Sequence, residues 1–471
     1  MSAAGNIGQN SSKEAACGGV FCARRGPLST PPVALPVVSF FRLTDSCNMS
    51  LFKPRLGFVL ACIFLDALGI GLIVPVLPRL IGTLTTSHDA QTWWYGMIML
   101  SYGVMQFVSA PLLGALSDRY GRRPVLLAGI CGLGVMFAVP AFFASLPAIL
   151  ASRIAGGMLS ANMAVAQAYV ADLTTGYERS AAFGKIGATF GIGFVVGPAL
   201  GGILGQNDPT IPFVVASAVT LINFFYGLFA LPESLTNPNP RPLSLAASTP
   251  FASLAAMLRE PRARLFLLTL ALTGLANGVM QCTWALYTEF RYGFTPLQIG
   301  LSVFALGISI SLVQGFLLQR LLARLHSQLI AALAIASGAV CLAAIGVSTT
   351  GLVAVIFVCL YACAGAVSPL LTAAISRETP LDAQGKAIGS VSSLNSLTGA
   401  VAPALGTPLL MVTTGQSPES LLAGTPYFAC ALLSAAALVL FVFGMRRLSE
   451  KSSATAESAA ADDDGISGFE D

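Results

Sequence analysis

The stretch Gly114-Ala-Leu-Ser-Asp-Arg-Tyr-Gly-Arg-Arg-Pro124 separates two long apolar segments, Trp94–Gly114 and Pro124–Phe143. Neither segment contains a charged side chain. Each is long enough to cross a hydrocarbon layer of ~30 Å at about 1.5 Å per helical residue. The stretch between them must therefore lie at a membrane surface, and its three arginines predict that this surface is cytoplasmic.

The composition of the chain excludes an ordinary soluble globule. Apolar residues make up 55% and charged residues 10% of the 471 positions, whereas about 25% charged residues is usual in soluble domains. The net charge of +4 lies in short loops, so it indicates orientation in a lipid bilayer and not a nucleic-acid partner.

Motifs for catalysis and for cofactors are missing from the sequence. The cysteines form no CxxC pair, so no zinc or redox site is indicated, and we expect no metal and no cofactor. HExxH, GxSxG and the phosphate-binding GxxxxGK[ST] are also absent. We therefore expect a protein that is not an enzyme and that does not hydrolyse ATP.

Apolar runs predict an all-α integral membrane protein with twelve transmembrane helices. All but three of the 25 arginines and lysines fall at one surface, which places both termini in the cytoplasm. The exceptions are Arg79 and Arg291 at the opposite surface and Arg153 within a span. The predicted spans are Leu56–Ile81, Trp94–Gly114, Pro124–Phe143, Pro147–Asp172, Ala181–Gly205, Ile211–Leu231, Ala263–Thr288, Leu297–Gln319, Gln328–Val347, Gly351–Ser376, Gly385–Val412 and Gly424–Met445.

An offset of 205 residues relates the two halves of the chain. Val196-Gly-Pro-Ala-Leu-Gly201 corresponds to Val401-Ala-Pro-Ala-Leu-Gly406, and Arg119 corresponds to Arg324. The repeat predicts two pseudo-symmetric six-helix bundles. The first acid of the membrane region, Asp66, corresponds to Ala271, so acidic chemistry is expected in the first half only.

The remaining segments are predicted to lie outside the membrane. The two bundles span 56–231 and 263–445, and a cytoplasmic linker, 232–262, joins them. Residues 1–55 are predicted to be a disordered cytoplasmic segment, with Met49 as an alternative start. Residues 446–471 are predicted to be a disordered acidic cytoplasmic tail.

Asp66 and Arg153 are the candidate coupling residues. A carboxylate inside a membrane is costly, so it is normally paired or faces a water-filled cavity, and burial favours its protonated form. The alternative is a structural aspartate at the glycine-rich bend that follows. Arg153 is predicted to lie within ~6 Å of Asp66 along the membrane normal; it either pairs with Asp66 or extends to the outer surface.

Two further groups of residues are ambiguous from sequence. In the fifth predicted span, small residues and a proline either form a groove for helix packing or mark a functional bend. These are Gly193, Gly197, Pro198, Gly201 and Gly202. Isolated amides on apolar helices either join helices or contact substrate in a cavity. These are Gln106, Asn162, Gln167 and Gln281.

Residues Leu56–Arg447 resemble the major facilitator superfamily, in particular its twelve-span drug:proton antiporters and, among them, the tetracycline efflux proteins. The stretch Gly114–Pro124, Leu65–Pro78, Arg153–Thr174 and the Gly-Pro cluster followed by Leu231-Pro-Glu-Ser234 carry this resemblance. It implies alternating access, with Asp66 and Arg153 lining a central cavity and the Gly193–Gly202 cluster acting as an antiporter motif. It also implies a cytoplasmic gate made of Gly114, Asp118, Arg119, Gly121, Arg122, Arg123 and Asp172.

One departure concerns the substrate. Where tetracycline efflux proteins carry further acids in their third and ninth spans, this chain has Met136 and Ser337. The leading hypothesis is a monomeric, proton-coupled exporter of amphipathic small molecules or drugs in a plasma membrane, such as a bacterial inner membrane. The alternatives are a metabolite facilitator or importer without proton coupling, and a transporter-like sensor that moves nothing.

Overall fold

A computed structural model describes residues 56–160, 162–174, 176–235, 257–379 and 384–466. Within these ranges every regular element is helical, and 12 segments are long and apolar enough to cross a membrane. The predicted all-α fold with twelve spans is confirmed. The segments, named span 1 to span 12, are Leu56–Thr83, His88–Tyr120, Arg122–Phe142, Leu146–Leu173, Ala182–Leu204, Ile211–Ala230, Ala263–Tyr292, Pro296–Leu322, Ser327–Val347, Gly351–Arg377, Ala387–Thr414 and Leu421–Arg446.

Four spans are interrupted helices. Span 1 consists of α1 (Leu56–Ile73) and α2 (Leu77–Thr83), and span 4 of helices Leu146–Leu159 and Asn162–Leu173. Span 8 contains a π-helical turn, Val313–Leu317, and span 10 a 3₁₀ segment, Tyr361–Ala366. Pro75 accounts for the break in span 1, because proline cannot donate a helical hydrogen bond. Such irregular turns often mark functional positions in membrane helices.

Spans 5, 7 and 11 are parts of longer helices. Span 5 lies within a helix over Gly176–Leu204, span 7 within Pro261–Tyr292, and span 11 within Gln384–Thr414.

Short loops with capped helix ends connect the spans. The Ser87 side chain accepts a hydrogen bond from the Ala90 backbone N–H at the start of span 2 (3.2 Å). Thr295 and Gln298 form a reciprocal capping box at the start of span 8. Gly293 ends span 7 with a φ of +64°, a left-handed conformation that favours glycine. These local signals fix the hairpins that bring successive spans together.

The same packing scheme occurs in both halves of the molecule. Span 1 packs on spans 5 and 6, and span 7 packs in the same way on spans 11 and 12. Span 3 packs on span 6 as span 9 packs on span 12. Between the halves, span 5 contacts span 8 and span 11 contacts span 2, which is the reciprocal pair that a two-fold relation requires.

Among the described residues, the two halves are in contact at one end and in the middle of the bundle. There, a Cβ added to Gly202 would lie 2.5 Å from the Pro296 carbonyl oxygen, and one added to Gly103 would lie 3.3 Å from Ala400 Cα. At the other end, which carries the loop around Gly121, a Cβ at Gly114, Gly187 or Gly389 would meet no described atom within 4 Å. The protein is therefore closed at the end opposite this loop and open at the loop end.

Parts of the predicted organisation lie outside the described residues or differ from them. The segment 1–55 and most of the linker, 236–256, fall outside the described ranges, as do residues 467–471. The last helix, Thr425–Ile466, continues past span 12 through most of the tail that was predicted to be disordered from residue 446. The tail is rich in alanine, which has the highest helix propensity, so helix can continue there.

Candidate functional site

Arg122 joins three helix ends at the open end of the bundle. Its Nε donates to the Asp172 carboxylate at the end of span 4 (3.0 Å). Its Nη1 contacts the Asp118 carboxylate (2.5 Å) and donates to Ser117 Oγ (2.7 Å), both near the end of span 2. Arg122 itself is buried. These charge-assisted bonds fix the positions of spans 2, 3 and 4 relative to one another.

Glu233, in the loop after span 6, caps the start of span 3. Its carboxylate accepts hydrogen bonds from the backbone N–H groups of Arg122 (2.9 Å) and Arg123 (3.1 Å). The first N–H groups of a helix have no partner within the helix, and the helix dipole favours a negative charge at this end. Gly121 precedes the helix with a φ of +103°, and a Cβ there would collide with the Glu233 carboxylate. Glu233 was not among the site residues predicted from sequence, although the stretch Leu231-Pro-Glu-Ser234 that contains it carries part of the family resemblance.

The charged residues of the loop have different partners. Of the gate residues that the resemblance implies, Asp172 pairs with Arg122 and not with Arg119, whose guanidinium lies 5.4 Å from the centroid of the Tyr120 ring. Arg123 donates through Nη2 to the Leu228 carbonyl oxygen (2.7 Å). The Asp118 side chain is 60% exposed. It therefore remains available to a partner on the other half when the open end closes.

Asp66 lies at the wall of a small cavity within the first half. Its Oδ1 accepts a hydrogen bond from the Asn162 amide of span 4 (3.4 Å). The cavity measures about 20 Å³, which is enough for a water molecule, and is otherwise lined by apolar side chains such as Ile63, Ile130 and Phe190. Within the described ranges the ion pairs are those of Arg122, so Asp66 has no cation at contact distance.

Arg153 is separated from Asp66. The ion pairs among the described residues are those of Arg122, so Arg153 and Asp66 are not in contact. The Arg153 guanidinium carbon lies 5.7–6.0 Å from the centroids of the Tyr102, Phe137 and Phe213 rings. Its Nε and Nη2 are buried without a hydrogen-bond partner. The Asp66–Arg153 pair is thus not formed in this conformation, and Arg153 does not extend to the surface either; cation–π contacts hold it inside the bundle.

The glycine cluster of span 5 packs against two other spans. Gly193 and Gly197 face span 1: a Cβ at Gly193 would lie 2.6 Å from the Phe64 carbonyl oxygen, and one at Gly197 would lie 2.7 Å from Gly71 Cα. Gly201 makes an equally close approach to Leu72 of span 1. Gly202 faces span 8 of the other half, and the Pro198 carbonyl approaches Gly300 there. The cluster thus allows both a tight first half and the closed end between halves.

A larger cavity of about 440 Å³ is lined by spans of the second half. Of the described residues that line it, none is charged. Gln281 lies there, on one helical face with Thr273 and Asn277 at intervals of four residues. Asn395 and Gln314 line other walls, and Gln314 Nε2 donates to the Gly365 carbonyl oxygen (3.2 Å), linking the two irregular turns of spans 8 and 10.

The other predicted amides are placed differently. Gln106 and Gln167 do not line this cavity, and Asn162 contacts Asp66. Sequence analysis missed Asn277, Gln314 and Asn395, although each is an amide on an apolar span and the spacing of Asn277 and Gln281 marks a common face.

A partly buried acid near the end of span 7 was also missed. Glu289 lies inside span 7, which continues to Tyr292, whereas the prediction ended this span at Thr288. Its Oε2 is buried without a hydrogen-bond partner. Arg291 was predicted to lie at the membrane surface, and Glu289, two residues before it, was not considered.

The twelve spans, their two-fold packing and the buried charges define a polytopic membrane protein of the kind that moves small molecules. The chain belongs to the Major Facilitator Superfamily, whose sequence pattern matches residues 59–403. It is 35% identical over 351 residues to the class C tetracycline resistance protein of Escherichia coli, covering 74% of this chain and 88% of that protein.

Other relatives include multidrug resistance protein 2 of Bacillus subtilis (strain 168), 28% identical over 353 residues that cover 74% of this chain and 86% of that protein. Among solved structures, the human organic anion transporter MFSD10 (TETRAN) has a TM-score of 0.60 and 26% identity, covering 82% of this chain and 98% of that one. These matches indicate a transporter and not an enzyme.

Proposed function

We propose that this protein is a proton-coupled secondary active exporter, an antiporter, of amphipathic small molecules or drugs. The observation that carries the proposal is the environment of Asp66. Its carboxylate lies within span 1, beside a water-sized cavity, with an amide for a partner and no cation at contact distance. Away from water, the free energy of an ionised carboxylate is much less favourable than that of the neutral acid. A carboxylate in such a place can therefore bind a proton when it is shielded from water and release it when water has access.

The two-fold packing supports alternating access. The halves are in contact at one end and apart at the other, so a rocking motion about the central spans would exchange the two openings. We assign the open end to the cytoplasm because its loops carry the arginines. In this conformation the second-half cavity would receive substrate from the cytoplasm or the inner leaflet. The protein would act as a monomer in a plasma membrane with both termini in the cytoplasm.

The chemistry of the second-half cavity limits the substrate. A volume of about 440 Å³ is in the range of small-molecule sites. Amides and hydroxyls can orient a ligand, while apolar walls supply most of the affinity at roughly 25 cal/mol per Å² of buried surface. Because no charged side chain lines it among the described residues, we expect neutral or weakly charged molecules to bind.

Transport by purified protein in proteoliposomes tests the function. A lipophilic fluorescent probe such as Nile red would be followed with and without an imposed proton gradient. An exporter that is coupled to protons accumulates the probe only with the gradient and collapses the gradient in return. Equal equilibration in both conditions would indicate a facilitator, and saturable binding without any flux would indicate a sensor; either result contradicts the proposal.

A further inference from the structure

Glu289 is placed between the two halves, at the closed end. Cys282, seven residues earlier on the same helical face, accepts a hydrogen bond through its carbonyl oxygen from the Tyr95 hydroxyl of span 2 (2.9 Å). The short helix α2 of the first half also contacts span 7. This face of span 7 is thus covered by the first half only while this end is closed.

None of the charged side chains described near Glu289 forms an ion pair with its carboxylate. Arg79 on α2 attracts the carboxylate through space, but its Nη1 donates to the Gln206 carbonyl oxygen (2.9 Å). The Tyr95 hydroxyl of span 2 also lies within electrostatic range. His88 packs its ring at 5.4 Å from that of Phe290, and Arg291 donates to Tyr287 (3.0 Å).

We propose that Glu289 is a second proton-binding carboxylate, which takes up a proton as the end opposite the Arg122 loop closes. When this end is open, the carboxylate is hydrated and can be charged. Closure buries it with one oxygen lacking any partner, which disfavours the anion. As this end closes, the carboxylate binds a proton from the water on that side to give the neutral acid, and reopening returns the proton to the same side. Protonation therefore favours the closed end. Because uptake and release occur on one side, Glu289 links the pH on that side to closure and does not itself carry a proton across the membrane.

The role given to Glu289 rests on the proposed antiport function. The experiment that tests it measures the conformation of the protein and not transport, so the two proposals can fail independently. Spin labels at Thr86→Cys and Thr349→Cys, two exposed loop positions at this end on opposite halves, report its opening by pulsed electron paramagnetic resonance. Protein that lacks the two engineered cysteines but is labelled in the same way gives the background signal from labels on native cysteines, which is subtracted. All variants carry Asp66→Asn, so a proton on the first-half acid cannot contribute.

We expect the long distance to gain population as the pH rises from 5.5 to 8.5, because deprotonated Glu289 favours opening. The closed-to-open ratio should change by about ten-fold, which corresponds to a ten-fold difference in proton affinity between the two conformations. Glu289→Gln should stay closed throughout, Glu289→Asp should restore the response, and Asp208→Asn, which alters an exposed acid at the same end, should leave it unchanged.

Arg79→Gln supplies a second measurement that does not depend on the folding of the glutamine variant. Without the nearby cation the charged carboxylate is less favourable, so the midpoint of the response should move to higher pH. The proposal is overturned if the response is absent, if Glu289→Gln leaves it intact, or if Arg79→Gln leaves the midpoint in place. Loss of the response in His88→Gln would instead assign it to the histidine.

Discussion

Two arginines in the first half have contrasting environments. Arg122 has a carboxylate on either side and a hydroxyl, so its charge is compensated by contact. Arg153 has three aromatic rings and two buried nitrogen atoms without hydrogen bonds. A compensated arginine fixes structure, whereas an uncompensated one is free to take an anionic partner in another conformation. Asp66 is likewise without a cation here, so the two residues can meet only if the first half rearranges.

Asp66→Asn should abolish gradient-driven export, because an amide has the shape of the carboxylate but cannot bind and release a proton. The protein should remain folded, since Asn162 can still hydrogen-bond an amide oxygen at this position. Uptake into proteoliposomes with an imposed proton gradient measures the effect, and Asp66→Glu, which keeps a titratable group, should retain part of the activity. Uphill transport by Asp66→Asn at the wild-type rate would exclude this role.

At the scale of the helices, a loop from one hairpin stabilises the start of another. The Glu233 cap lies 111 residues from the Arg122 N–H group that it accepts from, so it joins the end of span 6 to the start of span 3. Tyr169 of span 4 adds to this corner by donating to the Pro232 carbonyl oxygen (2.6 Å). Pro232 and Glu233 therefore stabilise the conformation of the Gly114–Pro124 loop, together with the glycine and arginine residues of the loop itself.

Glu233→Ala should destabilise the protein by about 1–2 kcal/mol, the usual cost of losing a helix cap. Two N–H groups at the start of span 3 lose their acceptor. The change should appear as a lower midpoint of thermal unfolding in detergent. Glu260→Ala is the control, because Glu260 is the N-cap residue of the helix that contains span 7 but its side chain makes no capping hydrogen bond. Equal losses in both variants would show that the cap has no special contribution.

The sequence predicted the elements better than their contacts. Apolar runs placed most span ends within a few residues, since length and charge decide which segments enter a membrane. Glu289 was missed because it follows the predicted end of span 7 at Thr288, whereas the structure buries one oxygen of its carboxylate. The partner of Asp172 and the distance from Asp66 to Arg153 depend on which helices adjoin and on how each is rotated, and neither follows from apolar pattern.

At the scale of the whole molecule, closure of one end must accompany opening of the other. Asp118 is an exposed acid of the open end, and when that end closes it can approach the N-terminus of a second-half helix, whose dipole favours an anion. Such an interaction contributes about 0.3–1 kcal/mol. The conformation seen here, with the loop end open, is the one in which this interaction is broken.

Asp118→Ala should therefore slow transport roughly two- to five-fold, the rate equivalent of that energy, while ligand binding is largely kept. Turnover in proteoliposomes and binding in detergent would be measured side by side. Asp172→Asn serves as the comparison, because Asp172 also contacts Arg122 but belongs to the corner of the first half. If both variants slow turnover equally, or Asp118→Ala turns over normally, Asp118 does no more than shape the loop.

The distribution of charge over the whole molecule also predicts selectivity. The resemblance to tetracycline efflux proteins implies that a magnesium–tetracycline chelate needs acids in the third and ninth spans, and this chain has Met136 and Ser337 at the positions expected for them. The two membrane carboxylates that remain, Asp66 and Glu289, lie outside the residues that line the 440 Å³ cavity, and both are assigned here to protons. We expect export of neutral lipophilic compounds in preference to magnesium–tetracycline. Drug accumulation by an efflux-deficient bacterial host that expresses the chain measures this preference.

The double variant Met136→Asp with Ser337→Asp should shift the preference toward the chelate, because acids are then restored to both spans. Strong magnesium-dependent tetracycline resistance in the unmodified chain, without any effect on apolar drugs, would show that these two positions do not decide the substrate.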